Sequence, residues 1–167
     1  ANFEQVDFVR KYGNKIYFGD ASRLDLLHAA GADKARIFVL AIDDVEASLK
    51  TAQMVKAHYP HLKIYARARN RMHAYQLMDL GVTVLMRETF LSSLELARDV
   101  LVGLGQTAAA ADEIARRFRV HDEQLLDKQR AFRHDEEQLI ASARQARDEL
   151  ERLFEQDRAA VKQENNV

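Results

Sequence analysis

What most constrains this chain is an alternation: short β-branched apolar runs take turns with segments whose apolar residues recur every three or four positions. The runs are residues 35–42 (ARIFVLAI), 63–68 (KIYARA) and 82–86 (VTVLM), with a shorter fourth at residues 15–18 (KIYF). The run at 35–42 is nearly continuous in apolar character, as a strand covered on both faces requires. Between the runs, Val45, Leu49, Ala52 and Val55 fall on one helical face. Strand and helix therefore alternate from about residue 15 to residue 105, which predicts right-handed βαβ units, a parallel sheet and an α/β, Rossmann-like fold class.

The punctuation agrees with that reading. Asp43 and Asp44 stand where carboxylates cap a helix and favour the positive end of its dipole. The single proline, Pro60, stops the same helix after Tyr59. Gly31 and Gly81 fall at helix ends, where a residue tolerant of positive φ is needed. At the amino terminus, Phe3, Val6 and Val9 have helical spacing and Gly13 closes the segment. A doubly wound nucleotide fold opens with a strand, a glycine-rich turn, a helix and a second strand. The expectation is thus a Rossmann-like parallel sheet lacking its N-terminal strand-turn-helix-strand, with about 35 to 40 residues of the fold preceding Ala1. Gly103-Leu104-Gly105 follows a helix and reads as a helix stop, not a phosphate-binding turn.

After Gly105 the character changes. From Thr107 onward the chain has neither proline nor glycine and is rich in Ala, Glu, Gln, Arg and Asp, the composition of a long helix. Phe118, Leu125, Phe132, Leu139, Ala146, Leu153 and Ala160 recur every seven residues. Such a stripe wants a partner helix, although a solvated helix lying on its own domain is the competing reading. The expected division is residues 1–105, a partial Rossmann-like nucleotide-binding domain, and residues 106–167, a long C-terminal helical extension serving dimerisation.

Charge and composition remove several function classes. Lys and Arg number 25 against 26 Asp and Glu, so no net field favours nucleic acid, and no nucleic-acid partner is expected. The absence of cysteine excludes disulfide scaffolds, thiolate metal sites and cysteine nucleophiles, and suits a reducing compartment. No apolar run reaches the roughly 18 residues a spanning helix needs, and Ala1-Asn2-Phe3-Glu4-Gln5 has no signal-peptide character. The six histidines are not spaced as metal ligands. With no nucleophile elbow, Walker loop or acid-base pair, catalysis finds no candidate residues.

Ligands of open α/β sheets bind beyond the carboxyl ends of the strands, and four segments qualify. In Phe18-Gly19-Asp20-Ala21-Ser22, Asp20 can accept hydrogen bonds from an exocyclic amine; alternatively Asp20 or Ser22 caps the next helix. After the second run, small Ala41 leaves room for a flat ring beside Ile42, while Asp43 and Asp44 suit capping or hydroxyl recognition. Arg67 and Arg69 emerge at a strand end, where a guanidinium can grip phosphate; one of them can equally be a surface charge. Arg87 would sit at the mouth of the sheet, ready for a ligand carboxylate or paired internally with Glu88.

Taken in order and spacing, Arg10-Lys11-Tyr12-Gly13, Tyr17-Phe18-Gly19-Asp20-Ala21-Ser22, Ala41-Ile42-Asp43-Asp44, Pro60-His61-Leu62, Ala66-Arg67-Ala68-Arg69 and Arg87-Glu88-Thr89-Phe90 resemble the regulatory (RCK/KTN-type) domain of Kef-type, glutathione-gated potassium efflux systems of Gram-negative bacteria. The resemblance covers residues 1–120. It implies a non-enzymatic sensor beneath a transmembrane K+/H+ antiporter of the same polypeptide, at the cytoplasmic face of the bacterial inner membrane. It further implies a homodimer, a bound regulatory AMP or NAD(H), glutathione or its adducts as effector, and an ancillary oxidoreductase-like subunit as a further partner. Carried over by residue, Asp20, Ala21, Ser22, Ala41, Ile42 and Arg67 would line the nucleotide crevice, and Arg87 would hold a glutathione carboxylate. Tyr12 matches an aromatic position that adducts displace. Arg119 stands where glutathione-gated members carry Asn, a departure that bears directly on glutathione recognition. The competing readings are a fragment of an NAD-dependent oxidoreductase, which would need a catalytic group, and a purely structural dimerisation module.

Overall fold

The computed structural model describes residues 20–164. The expected strand at 15–18, the helix before Gly13 and Tyr12 lie outside the described residues. In chain order the elements are α1 (Leu24–Ala29), a 3-10 turn (Ala32–Lys34), β1 (Ile37–Leu40), α2 (Val45–His58), β2 (Lys63–Ala68), α3 (Arg71–Asp79), β3 (Val84–Arg87), α4 (Phe90–Gly103), α5 (Ala108–Arg130) and α6 (Glu136–Glu164). The three strands form one parallel sheet in the order β1-β2-β3, with Ile37 opposite Lys63 and Leu40 opposite Ala66. The α/β, Rossmann-like class read from the alternation is what the chain adopts, with a helical C-terminal part.

The chain divides into two compact units. The first takes the described residues up to Arg69 together with Gln76–Met86. The second takes Asn70–Tyr75 and everything from Arg87 onward. In this division α4 lies in the second unit together with α5 and α6.

In the first unit the strands alternate in burial. Leu40, Ile64, Ala66 and Ala68 face a core shared with Ser48, Thr51, Ala52 and Val55 of α2 and with Tyr59 and Leu62. Burying side chains such as Ile64 and Leu40 contributes about 1.5–3 kcal/mol each. The opposite face differs from the expectation for 35–42, since Val39 is 71% exposed and Ile37, Tyr65, Val84 and Met86 are also exposed. Continuous apolarity in sequence thus corresponds here to a sheet with one face open among the described residues. The punctuation works as read: Asp44 caps α2 by accepting from the Ala47 amide at 2.8 Å, α2 ends at His58 before Pro60, and Gly31 and Gly81 have φ of 85° and 68°.

In the second unit, α4 ends at Gly103, with Gly105 at φ 96° as the stop and Thr107 capping α5 through a 3.2 Å bond from the Ala110 amide. The predicted single long helix is instead two helices. The chain breaks at 131–135, and Asp135 restarts it by accepting from the Gln138 amide at 3.0 Å and the Gln138 side-chain amide at 2.6 Å. That is an Asp-x-x-Gln capping pair, a stop-and-start signal within a glycine-free stretch. The two helices run antiparallel, as Gln129 meets Ser142 at 3.4 Å and His121 approaches Glu149 at 3.8 Å. Leu126, Gln129 and Ala146 are buried, Leu125 is half-buried and Phe132 lies in the turn.

Candidate functional site

In the first unit Ala41, Ile42 and Arg67 lie at the carboxyl ends of β1 and β2. Arg67, the penultimate residue of β2, donates to the Ala41 carbonyl at 3.2 Å and forms a charge pair with the Asp43 carboxylate. Parallel pairing of Leu40 with Ala66 sets this up, because it puts the residues just beyond each strand end side by side. Ala41 is exposed and Ile42 half-buried, so the strand end presents a small, open surface beside a guanidinium. The two aspartates divide their roles: Asp44 caps α2 and Asp43 orients Arg67.

Asp20, Ala21 and Ser22 form a separate turn ahead of α1. The Asp20 carboxylate accepts from the Ser22 amide at 2.8 Å, and Ser22 does not cap α1, whose first residue is preceded by Arg23. Hydrogen bonds from the Ser22 amide and then the Ser22 hydroxyl hold the Asp20 carboxyl below its usual pKa, helped by the charge of Lys50 on α2. Asp20 is therefore an exposed, ionised acceptor. The structure brings Ala41 and Arg67 into contact and places the 20–22 turn as a distinct element of the same unit. A shallow depression of about 470 Å³ lies elsewhere, lined by Ala35, Arg36, Ile37, His61, Lys63 and Tyr65 at the amino ends of β1 and β2, away from these groups.

The second unit gathers a different set. Arg87, at the end of β3, pairs with Asp122 of α5, and Arg71, at the start of α3, reaches the other oxygen of the same carboxylate at 2.6 Å. Their side chains are only 10%, 33% and 15% exposed for Arg87, Arg71 and Asp122. Phe90 stacks under the Arg87 guanidinium, 3.8 Å from ring centroid to carbon, a cation–π contact. Gln129 Oε1 accepts from Arg71 Nη1 and from the Tyr75 hydroxyl, both at 3.2 Å. Desolvation, above all, raises the Tyr75 pKa, so its hydroxyl stays protonated and able to donate. The internal partner of Arg87 is thus Asp122, where sequence reading had weighed Glu88. Arg119 pairs one helical turn onward with Glu123 at 2.8 Å on an exposed surface.

Sequence reading missed Asp122, Arg71, Tyr75 and Gln129. The signal was present: Asp122, Leu126 and Gln129 lie four and seven apart on α5, so polar groups interrupt the buried stripe at helical spacing. A buried polar group needs a partner, and Arg71 and Tyr75 supply one. Among the described residues no group of three or more His, Cys, Asp or Glu side chains could hold a metal ion.

Comparison with known families now gives the class. Residues 1–88 match the TrkA-N domain, which makes this a TrkA-N, nucleotide-binding type of regulatory domain. Residues 92–166 match the potassium efflux system KefB C-terminal domain. A solved structure described as the Shewanella denitrificans Kef CTD in AMP bound form is 44% identical, covering 71% of this chain and 75% of that one, with a TM-score of 0.69. The chain belongs to the Kef-type C-terminal regulatory domains of potassium efflux systems.

Proposed function

We propose that this chain is the cytoplasmic ligand sensor of a K+/H+ antiporter, hung from a transmembrane domain of the same polypeptide at the bacterial inner membrane, and that it binds an adenine nucleotide in the crevice of its first unit. The observation that carries this reading is the Arg67–Ala41–Asp43 arrangement at adjacent strand ends, with an ionised Asp20 in the turn ahead of α1. Asp20 would accept from the exocyclic amine of adenine, Ala21, Ser22, Ala41 and Ile42 would pack around the ring and ribose, and Arg67 would meet the phosphate. The AMP in the Shewanella relative makes AMP the first nucleotide to test, ahead of NAD(H). No described helix is long and apolar enough to cross a membrane, which fits a domain attached to the membrane part and not within it.

Under the same reading the chain is not an enzyme, works as a homodimer, and takes glutathione or its adducts at Arg87 in the second unit, with an ancillary subunit as a further partner. Arg119 and, separately, Tyr12 are the further residues proposed to bear on recognition of that effector. Calorimetry decides the nucleotide part. AMP should bind the chain, and Asp20→Ala should weaken it about 10-fold, the factor set by losing a charge-assisted hydrogen bond of about 1.5 kcal/mol. Unchanged affinity in that variant would remove Asp20 from the site, and measurable turnover of a nicotinamide cofactor would restore the oxidoreductase alternative.

A further inference from the structure

Arg71 and Arg87 converge on a single carboxylate. Asp122 gives one oxygen to each, Oδ1 to Arg71 Nη2 at 2.6 Å and Oδ2 to Arg87 Nη2. One guanidinium would satisfy one carboxylate. A second on the same group leaves a net positive charge in a partly desolvated cluster, so the cradle favours holding a carboxylate at all times, its own or a ligand's. The other groups seen in contact with the two arginines are neutral: Gln129 accepts from Arg71 and Tyr75 through its amide oxygen, and Phe90 covers the Arg87 face. Desolvation holds Tyr75 in its neutral form as well. The cluster is more open on its Arg71 side, where that side chain is 33% exposed against 10% for Arg87.

We infer that Asp122 is an internal competitor: its carboxylate occupies a two-arginine cradle built by Arg71 and Arg87, and a ligand carboxylate binds by displacing it. This rests on the proposed effector role of Arg87 and extends it, making Arg71 a second ligand-gripping residue and Asp122 the residue that sets the ligand concentration at which the site responds. Two guanidiniums spanning two oxygens are matched to a planar carboxylate, whichever molecule brings it. Exchange of one carboxylate for another leaves the arginines paired in both states, so the switch costs less than opening an empty ion pair would.

The test is calorimetric titration of reduced glutathione, in a carboxylate-free buffer, into the whole chain and into the Asp122→Asn, Asp122→Glu, Arg71→Gln and Arg87→Gln variants, each checked by circular dichroism. Asp122→Asn removes the competing charge and should bind about 10-fold more tightly, a change of about 1.4 kcal/mol. Asp122→Glu keeps the charge and should bind no better than the parent, while either arginine variant should bind several-fold more weakly. A merely structural Asp122 would lower affinity when replaced, never raise it. If the parent binds, Arg87→Gln loses binding and Asp122→Asn is unchanged or weaker, the competitor role is overturned while Arg87 keeps its ligand. If neither the parent nor Asp122→Asn binds, both fall. Should Asp122→Asn misfold, Asp122→Ser gives the same readout.

Discussion

Tyr75 and Gln129 offer a measurement in which the structure fixes both size and order of the effects. Tyr75 is 2% exposed and Gln129 5% exposed, and their one mutual hydrogen bond runs from the hydroxyl to Oε1 at 3.2 Å. Tyr75→Phe removes the hydroxyl, yet Gln129 Oε1 keeps its bond from Arg71, so no buried acceptor is orphaned. The cost should be that of one ordinary hydrogen bond, about 1 kcal/mol. Gln129→Ala is different, because it leaves the buried Tyr75 hydroxyl without an acceptor, at about 1–3 kcal/mol, and also removes packing and a long 3.4 Å bond to Ser142. Its total should be about 3 kcal/mol. Thermal melts at 222 nm should then fall by about 3 °C for Tyr75→Phe and about 9 °C for Gln129→Ala. In the double variant the orphan no longer exists, so the effects should fall short of additive by about 1 kcal/mol. Additive effects, or a larger loss for Tyr75→Phe than for Gln129→Ala, would refute the argument.

Three further expectations follow from other parts of the molecule. Asp44→Ala removes the cap of α2 and should lower stability by about 1 kcal/mol in urea unfolding, with Asp43→Ala costing less because Asp43 does not cap. Thr89 sits at φ 63° ahead of α4, a β-branched residue in the left-handed region, so Thr89→Gly should stabilise by about 1 kcal/mol in the same assay. His73 is 1% exposed, and burial lowers its pKa. A histidine whose folded pKa lies below its unfolded value binds fewer protons folded than unfolded. Its contribution is therefore present above about pH 6.5 and is lost as pH falls below that. Melting temperature should drop between pH 7.5 and 5.5, and His73→Phe should flatten that slope; an unchanged slope would assign it to other groups.

The features legible in the sequence were those governed by local chemistry. β2 could be read to its ends because Lys63–Ala68 is a short β-branched and small-residue run bounded by Pro60 and Asn70, and Asn70 proves to cap α3 through the His73 amide at 2.9 Å. The Ala41 and Arg67 juxtaposition was legible for a similar reason: in parallel strands, residues just past the carboxyl ends are neighbours whatever the rest of the fold does. The helical hairpin was not read, because composition from Thr107 onward favours helix throughout and the Asp135-Gln138 pair is a weak signal beside a seven-residue repeat. The Arg71–Asp122–Arg87 cluster was missed for a different reason. It joins residues up to 51 positions apart, and nothing local in Arg87-Glu88 says that a helix 35 residues onward will supply the carboxylate.

Amide chemical-shift mapping with AMP probes the proposed adenine-nucleotide site at the carboxyl ends of β1 and β2. Perturbations should concentrate at residues 20–22, 41–43 and 67–68. Shifts centred on Ile37, Lys63 and Tyr65 at the opposite strand ends, or no shifts at saturating AMP, would contradict it.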